Sequence, residues 1–65
     1  MVLTKNDLRK YRENHGLTQE GLAKRVGVTR QTIISIERGR YTPSLELSLK
    51  FVKLFQCKVE DLFGL

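Results

Sequence analysis

Apolar positions along the chain recur at three- and four-residue intervals, and no alternating apolar and polar stretch is long enough to make a convincing strand. The pattern predicts an all-α chain. Three places repeat one local device, in which an apolar residue precedes a threonine and a second apolar residue follows four positions after it. They are Leu3-Thr4 with Leu8, Leu17-Thr18 with Leu22, and Val28-Thr29 with Ile33. Each reads as an N-cap whose hydroxyl accepts an orphan backbone N–H, flanked by a hydrophobic staple. Gly16, Gly27 and Gly39 follow the same segments and suit the left-handed residue past a helix end. The spacing predicts a first helix over about Lys5 to Asn14, a second over Gln19 to Val26 and a third over Arg30 to Arg38. A fourth starts after Ser44 as N-cap and runs to about Phe55, where Gln56 or Cys57 must make the turn because no glycine is present. A short fifth helix over Val59 to Phe63 places Glu60 and Asp61 near its positive end. The expected architecture is one compact five-helix domain over residues 1–65.

Only Gly27, Val28 and Thr29 separate the second and third helices. So short a turn favours a steep crossing over an antiparallel return. Ala23 is small enough to let the crossing helix approach, and Leu22, Val26, Val28, Ile33 and Ile36 fill the angle. An ordinary helical corner is the alternative to a DNA-binding helix-turn-helix, and Ala23, Gly27, Ile33 and Ile36 at these spacings, together with the local charge, favour the DNA-binding form. The net charge is +5, from 12 Lys and Arg against 7 Asp and Glu. Residues 1–23 carry a net +1 and residues 41–65 balance. Residues 24–40 set Lys24, Arg25, Arg30, Arg38 and Arg40 against Glu37 alone, a net +4. That concentration fits a surface facing a polyanion.

Other chemistry is poorly supplied. One cysteine excludes an intramolecular disulfide, and a metal site would need His15, Cys57 and scattered carboxylates. No cofactor or metal is expected. His15, the one histidine, has neither nucleophile nor orienting carboxylate beside it, which disfavours a hydrolase. No apolar run approaches the roughly 20 residues of a membrane span and no leader pattern opens the chain. A soluble cytoplasmic protein is expected, with no membrane partner. Its size leaves little room for the pocket of a small-molecule effector.

The stretch Gly16-Leu17-Thr18-Gln19-Glu20, then Leu22-Ala23, Val26-Gly27-Val28-Thr29-Arg30-Gln31-Thr32-Ile33, Ile36-Glu37-Arg38-Gly39 and Pro43-Ser44-Leu45 resembles the phage repressor and Cro-like (Xre) family. The resemblance runs from Leu8 to Phe63. It implies a repressor-like five-helix DNA-binding domain, acting as a homodimer on a double-stranded operator with an inverted repeat. At 100° per residue, Ile33 and Ile36 share one side of the third helix with Glu37 beside them. Arg30, Gln31, Ile34, Ser35 and Arg38 span an arc of roughly 140° opposite. Gln31 suits adenine and Arg30 suits guanine or a phosphate, while Ile34 suits a thymine methyl. By family position Arg30, Gln31 and Ser35 match base-contacting sites. Gln19 resembles a family glutamine that binds a backbone phosphate. Thr32, Arg38, Arg40, Tyr41 and Thr42 flank the end of the third helix as further phosphate contacts. Arg12 and Glu37 match a pair that in relatives bridges the first and third helices, and Arg12 is also a candidate phosphate contact.

Three departures stand out. Gly21 lies inside the second helix, where it should cost roughly 1 kcal/mol against alanine. Gln56 stands where glycine commonly ends the fourth helix. Cys57 replaces a usual apolar residue and reads as a small buried hydrophobe. The fourth helix also carries apolar residues over an arc of about 220°, more than one buried face needs. Leu47, with Phe63 and Leu65, is therefore expected to form a dimer surface, unless Met1, Val2 and Leu3 cover it. The competing functional reading is a protein-interaction module, such as an antitoxin or bridging factor, that uses this apolar surface.

Overall fold

The computed structural model describes residues 3–65. In chain order its elements are β1 (Lys5–Asn6), α1 (Leu8–Asn14), α2 (Gln19–Val26), α3 (Arg30–Glu37), α4 (Leu45–Phe55), α5 (Val59–Leu62) and β2 (Phe63–Gly64). Five helices surround one core in which Leu8, Leu22, Ile33, Ile36, Phe51 and Leu62 are fully enclosed. Val26, Ala23 and Phe55 extend that core, and Leu3, Leu17, Val28 and Cys57 pack at its margin.

The helix ends follow their local chemistry. Thr18 accepts from the Gly21 N–H, Thr29 from the Thr32 N–H and Ser44 from the Leu47 N–H, so α2, α3 and α4 each begin on a side-chain cap. Gly27 ends α2 at φ +76°, and both its N–H and that of Val28 return to the Ala23 oxygen. This closes α2 within one residue and lets α3 begin after a connection of three residues. Ala23, 2% exposed, presents only a methyl group to the crossing.

The five-helix expectation holds, and the chain's ends add a minor two-stranded pairing that moves the start of α1 and the end of α5. Thr4 does not cap α1, and the helix begins at Leu8, not Lys5. Lys5 and Asn6 instead pair antiparallel with Gly64 and Phe63. The Thr4 N–H donates to the Gly64 oxygen and the Asp7 N–H to the Leu62 oxygen, both at 2.8 Å. Two ladder bonds from a segment distant in sequence replace the single local cap. Phe63 accordingly leaves α5 for β2. Gly64 keeps this pairing close, because a Cβ there would sit 3.2 Å from that of Lys5 and the Lys5 side chain would have to give by a few tenths of an ångström.

The expected dimer surface changes at two of its three residues. Leu47 is 6% and Phe63 7% exposed, since α4 turns Leu47 inward with Phe51, and the Phe63 ring lies 6.4 Å from that of Phe51. Both belong to the core. Leu65 is exposed, as are Leu45 and Leu49 on the outer side of α4. Of the covering residues considered for that surface, Leu3 packs on the core, and Met1 and Val2 lie outside the described residues.

Candidate nucleic-acid interface

α3 buries Ile33 and Ile36 and leaves Arg30, Gln31 and Arg38 exposed, with Ile34 and Ser35 half-buried between them. The arc drawn from the 100° rotation is thus the outward side. An open groove runs along each flank of this helix. On one flank Arg9, Gln19, Arg30, Ile34 and Arg38 line the groove, with the Arg12–Glu37 pair at its floor. On the other flank Gln31, Thr32, Ser35, Arg40 and Tyr41 converge, beside the Thr29 cap. Every residue expected to touch a base, and every one expected to touch a phosphate except Thr42, therefore borders one of two adjoining depressions. Thr42 is exposed but lines neither.

The floor is a closed polar network. Arg12 Nε donates to Glu37 Oε2 at 2.7 Å and Arg12 Nη2 to Oε1 at 3.3 Å, a two-pronged pairing. Arg12 Nη1 donates to the Leu17 oxygen at 2.8 Å, which ties in the loop before α2. Gln19 Nε2 donates to Glu37 Oε1 at 3.2 Å. The side chains of Arg12 and Glu37 are only 10% and 5% exposed. Arg12 is thus spent on fixing α1, α2 and α3 relative to one another. Gln19 is engaged by one N–H and keeps its oxygen and second N–H for an outside partner. Beside it, the backbone N–H groups of Gln19 and Glu20 have no acceptor within the helix, so this rim of the groove favours an anion.

Arg9 was not among the expected contacts. It lies on α1 with its side chain 72% exposed, 3.2 Å from Glu13, and lines the same groove as Arg30 and Arg38. No local pattern marks it, because the groove exists only after α1 packs against α3. The Thr32 hydroxyl lies 3.1 Å from that of Thr29, so it serves the helix start as well as facing the second groove. A separate depression, lined by Lys24, Arg25, Lys50 and Lys53, shares no residue with either groove.

Elsewhere, the rings of Tyr11 and His15 pack tilted against Phe55, at 5.9 and 4.8 Å between ring centres. Burial and, after it, the Asp61 carboxylate push both the Tyr11 phenol and the Cys57 thiol above their ordinary ranges. Cys57 therefore stays a neutral thiol at pH 7, as suits a core-margin residue. Among the described residues no cluster of three His, Cys, Asp or Glu side chains is placed to hold a metal ion. Among them too, no helix is long and apolar enough to cross a membrane.

A helix-turn-helix family model matches residues 8–62, which takes in α1 through α5. An uncharacterized HTH-type transcriptional regulator of Methanocaldococcus jannaschii is 59% identical over 59 residues, covering 91% of this chain and 89% of that protein. The uncharacterized HTH-type transcriptional regulator YgzD of Bacillus subtilis is 51% identical, covering 94% and 92%. Among solved structures, the restriction-modification controller protein C.AhdI from Aeromonas hydrophila superimposes with a TM-score of 0.77 at 36% identity, covering 86% of this chain and 85% of that one. The clp gene regulator ClgR from Corynebacterium glutamicum gives 0.75 at 31% identity, covering 83% and 57%. With α3 packed on α2 across a three-residue turn and the basic groove-lined face of α3, the chain belongs to the Xre/Cro-like helix-turn-helix family of DNA-binding transcriptional regulators.

Proposed function

We propose that the protein reads a specific double-stranded DNA sequence by laying α3 in the major groove, and that it does so as a homodimer on an inverted repeat. The observation that carries this reading is the outward side of α3. Arg30, Gln31, Ile34 and Ser35 project between two depressions bordered by Arg9, Gln19, Arg38, Arg40 and Tyr41. Short and planar side chains at the crest are suited to base edges, and long cationic ones at the flanks to phosphates. Gln31 pairs with adenine and Arg30 with guanine, while the half-buried Ile34 packs on a thymine methyl. Arg9 joins Gln19, Thr32, Arg38, Arg40, Tyr41 and Thr42 as a phosphate contact, and Arg12 holds the frame. A dimer seated on both half-sites excludes other proteins from them, so the regulator acts as a repressor, in the cytoplasm and without a small-molecule effector. Similarity to a restriction-modification controller and a clp gene regulator supports a regulatory role.

Selection of bound duplexes from a random pool at near-physiological salt tests the reading. An enriched inverted repeat with half-site centres about 10 base pairs apart is expected. Binding that falls steeply with salt and enriches no sequence would reduce the surface to a generic polyanion site. Replacing the operator thymines by uracil should then weaken binding through Ile34, and unchanged affinity would remove that contact from the scheme.

A further inference from the structure

Asn6 connects the terminal sheet to the far end of α3. Its Nδ2 donates to the Ile36 backbone oxygen at 2.7 Å, between residues 30 apart in sequence. Its Oδ1 accepts from the Leu8 N–H at 3.3 Å, so the amide is engaged on both sides. The backbone of Asn6 is held in β1 opposite Phe63. The Ile36 oxygen also accepts the Gly39 N–H at 2.9 Å, where the chain leaves the helix. The next residue, Glu37, takes the two-pronged bond from Arg12. The last turn of α3 is thus gripped at two successive residues, once by backbone and once by side chain.

An eight-residue helix is about 12 Å long and moves as a short rod. Its first turn is fixed by the three-residue connection to α2 and the Thr29 cap. Its direction is then set by whatever holds the other end. A displacement of about 1 Å there swings a rod of this length by about 5°. Long arginines at the groove edges follow such a swing and keep their phosphates. Ser35 and Ile34, with short reach, do not, and directional bonds to base edges weaken with misalignment.

We infer that Asn6 is a positioning residue for base reading, which fixes the angle of α3 through the Ile36 oxygen and makes the β1–β2 pairing part of the reading apparatus. The inference rests on the DNA-reading function proposed above. Its test compares wild type with Asn6→Asp and Asn6→Ala on two duplexes, the selected operator and a scrambled sequence, at a temperature where circular dichroism finds every variant folded. The ratio of the two affinities should drop about tenfold in both variants, with scrambled-duplex affinity and its salt slope unchanged in Asn6→Ala, which keeps the net charge. Asn6→Asp keeps an acceptor for the Leu8 N–H, so an equal drop in it assigns the effect to the Ile36 bond. An unchanged ratio, or equal losses on both duplexes, overturns the inference. Should the variants not fold, hydrogen exchange of the wild-type Asn6 side-chain amide decides the matter. Protection retained in the DNA complex is expected, and rapid exchange there overturns the proposal. A wild type that prefers neither duplex removes the DNA-reading function itself, an outcome distinct from a specific wild type with indifferent variants.

Discussion

Glu37 accepts from Arg12 and Gln19 at once, and its side chain is almost fully enclosed. Removing one member of such a pair strands a charge away from water. Glu37→Ala should therefore lower stability by about 3–5 kcal/mol, while replacing both Arg12 and Glu37 by methionine should do far less harm. Urea denaturation of the single and double variants checks this. A single-variant midpoint close to wild type would mean that water already reaches the pair. Titration supplies a second expectation at this scale. The phenol of Tyr11 and the thiol of Cys57 are both raised by burial and Asp61, so the folded state holds their protons more tightly than the unfolded chain. Their contribution is complete below the unfolded values and is lost as pH climbs through the folded ones. The melting temperature should accordingly fall above about pH 9. Cys57 should also react with iodoacetamide only at a higher pH than free cysteine does. A thiol that alkylates readily at pH 7 would contradict its placement.

At the scale of elements, α4 ends on Gln56 at φ +54°, a left-handed conformation that disfavours a residue with a Cβ. Gln56→Gly should stabilise the protein by about 1 kcal/mol, read from the shift in its thermal midpoint. Gly21 behaves differently. A Cβ there would lie 3.1 Å from Thr18 Oγ1, the atom that caps α2, so alanine's helix-forming advantage is opposed by pressure on the cap. The sequence pattern located such features well wherever their cause is local. Thr18, Thr29 and Ser44 cap their helices, Gly27 turns between α2 and α3, and the rotation of α3 follows from Ile33 and Ile36. It failed where the cause is distant. Thr4 has the same local signal as Thr18 but gives its N–H to the Gly64 oxygen instead of capping a helix, and Arg9 enters the groove only through the packing of α1 on α3. Leu47 and Phe63 read as surplus because periodicity cannot say how many sides of α4 its neighbours cover. Placement of charge gives a further prediction. Arg40 borders a groove beside α3, whereas Lys50 and Lys53 line a depression that shares no residue with those grooves. Arg40→Ala should lower the slope of log affinity against log salt by about one, and Lys53→Ala should leave it nearly unchanged. Equal slopes for the two variants would mean that the DNA footprint extends around to α4.

For the whole molecule, the homodimer proposed above needs a surface through which two copies meet. With Leu47 and Phe63 enclosed, the large apolar side chains exposed among the described residues are Tyr41, Leu45, Leu49 and Leu65. Tyr41 borders a groove beside α3, where it is proposed to meet a phosphate. Leu45 and Leu49 are one helical turn apart on the outer side of α4, and Leu65 follows β2 at the chain's end. A 65-residue domain buries only roughly 60% of its unfolded surface, so covering these leucines adds stability as well as symmetry. If the homodimer forms through them, Leu49→Glu and Leu65→Glu should each shift the mass measured by sedimentation at micromolar concentration from dimer toward monomer. Each isolated domain should keep its fold, because neither side chain lies in the core. The same variants should bind a single half-site about as well as wild type and lose the added affinity of the paired site. A wild-type mass that stays monomeric throughout the micromolar range would argue strongly against the dimer and against these leucines as its surface.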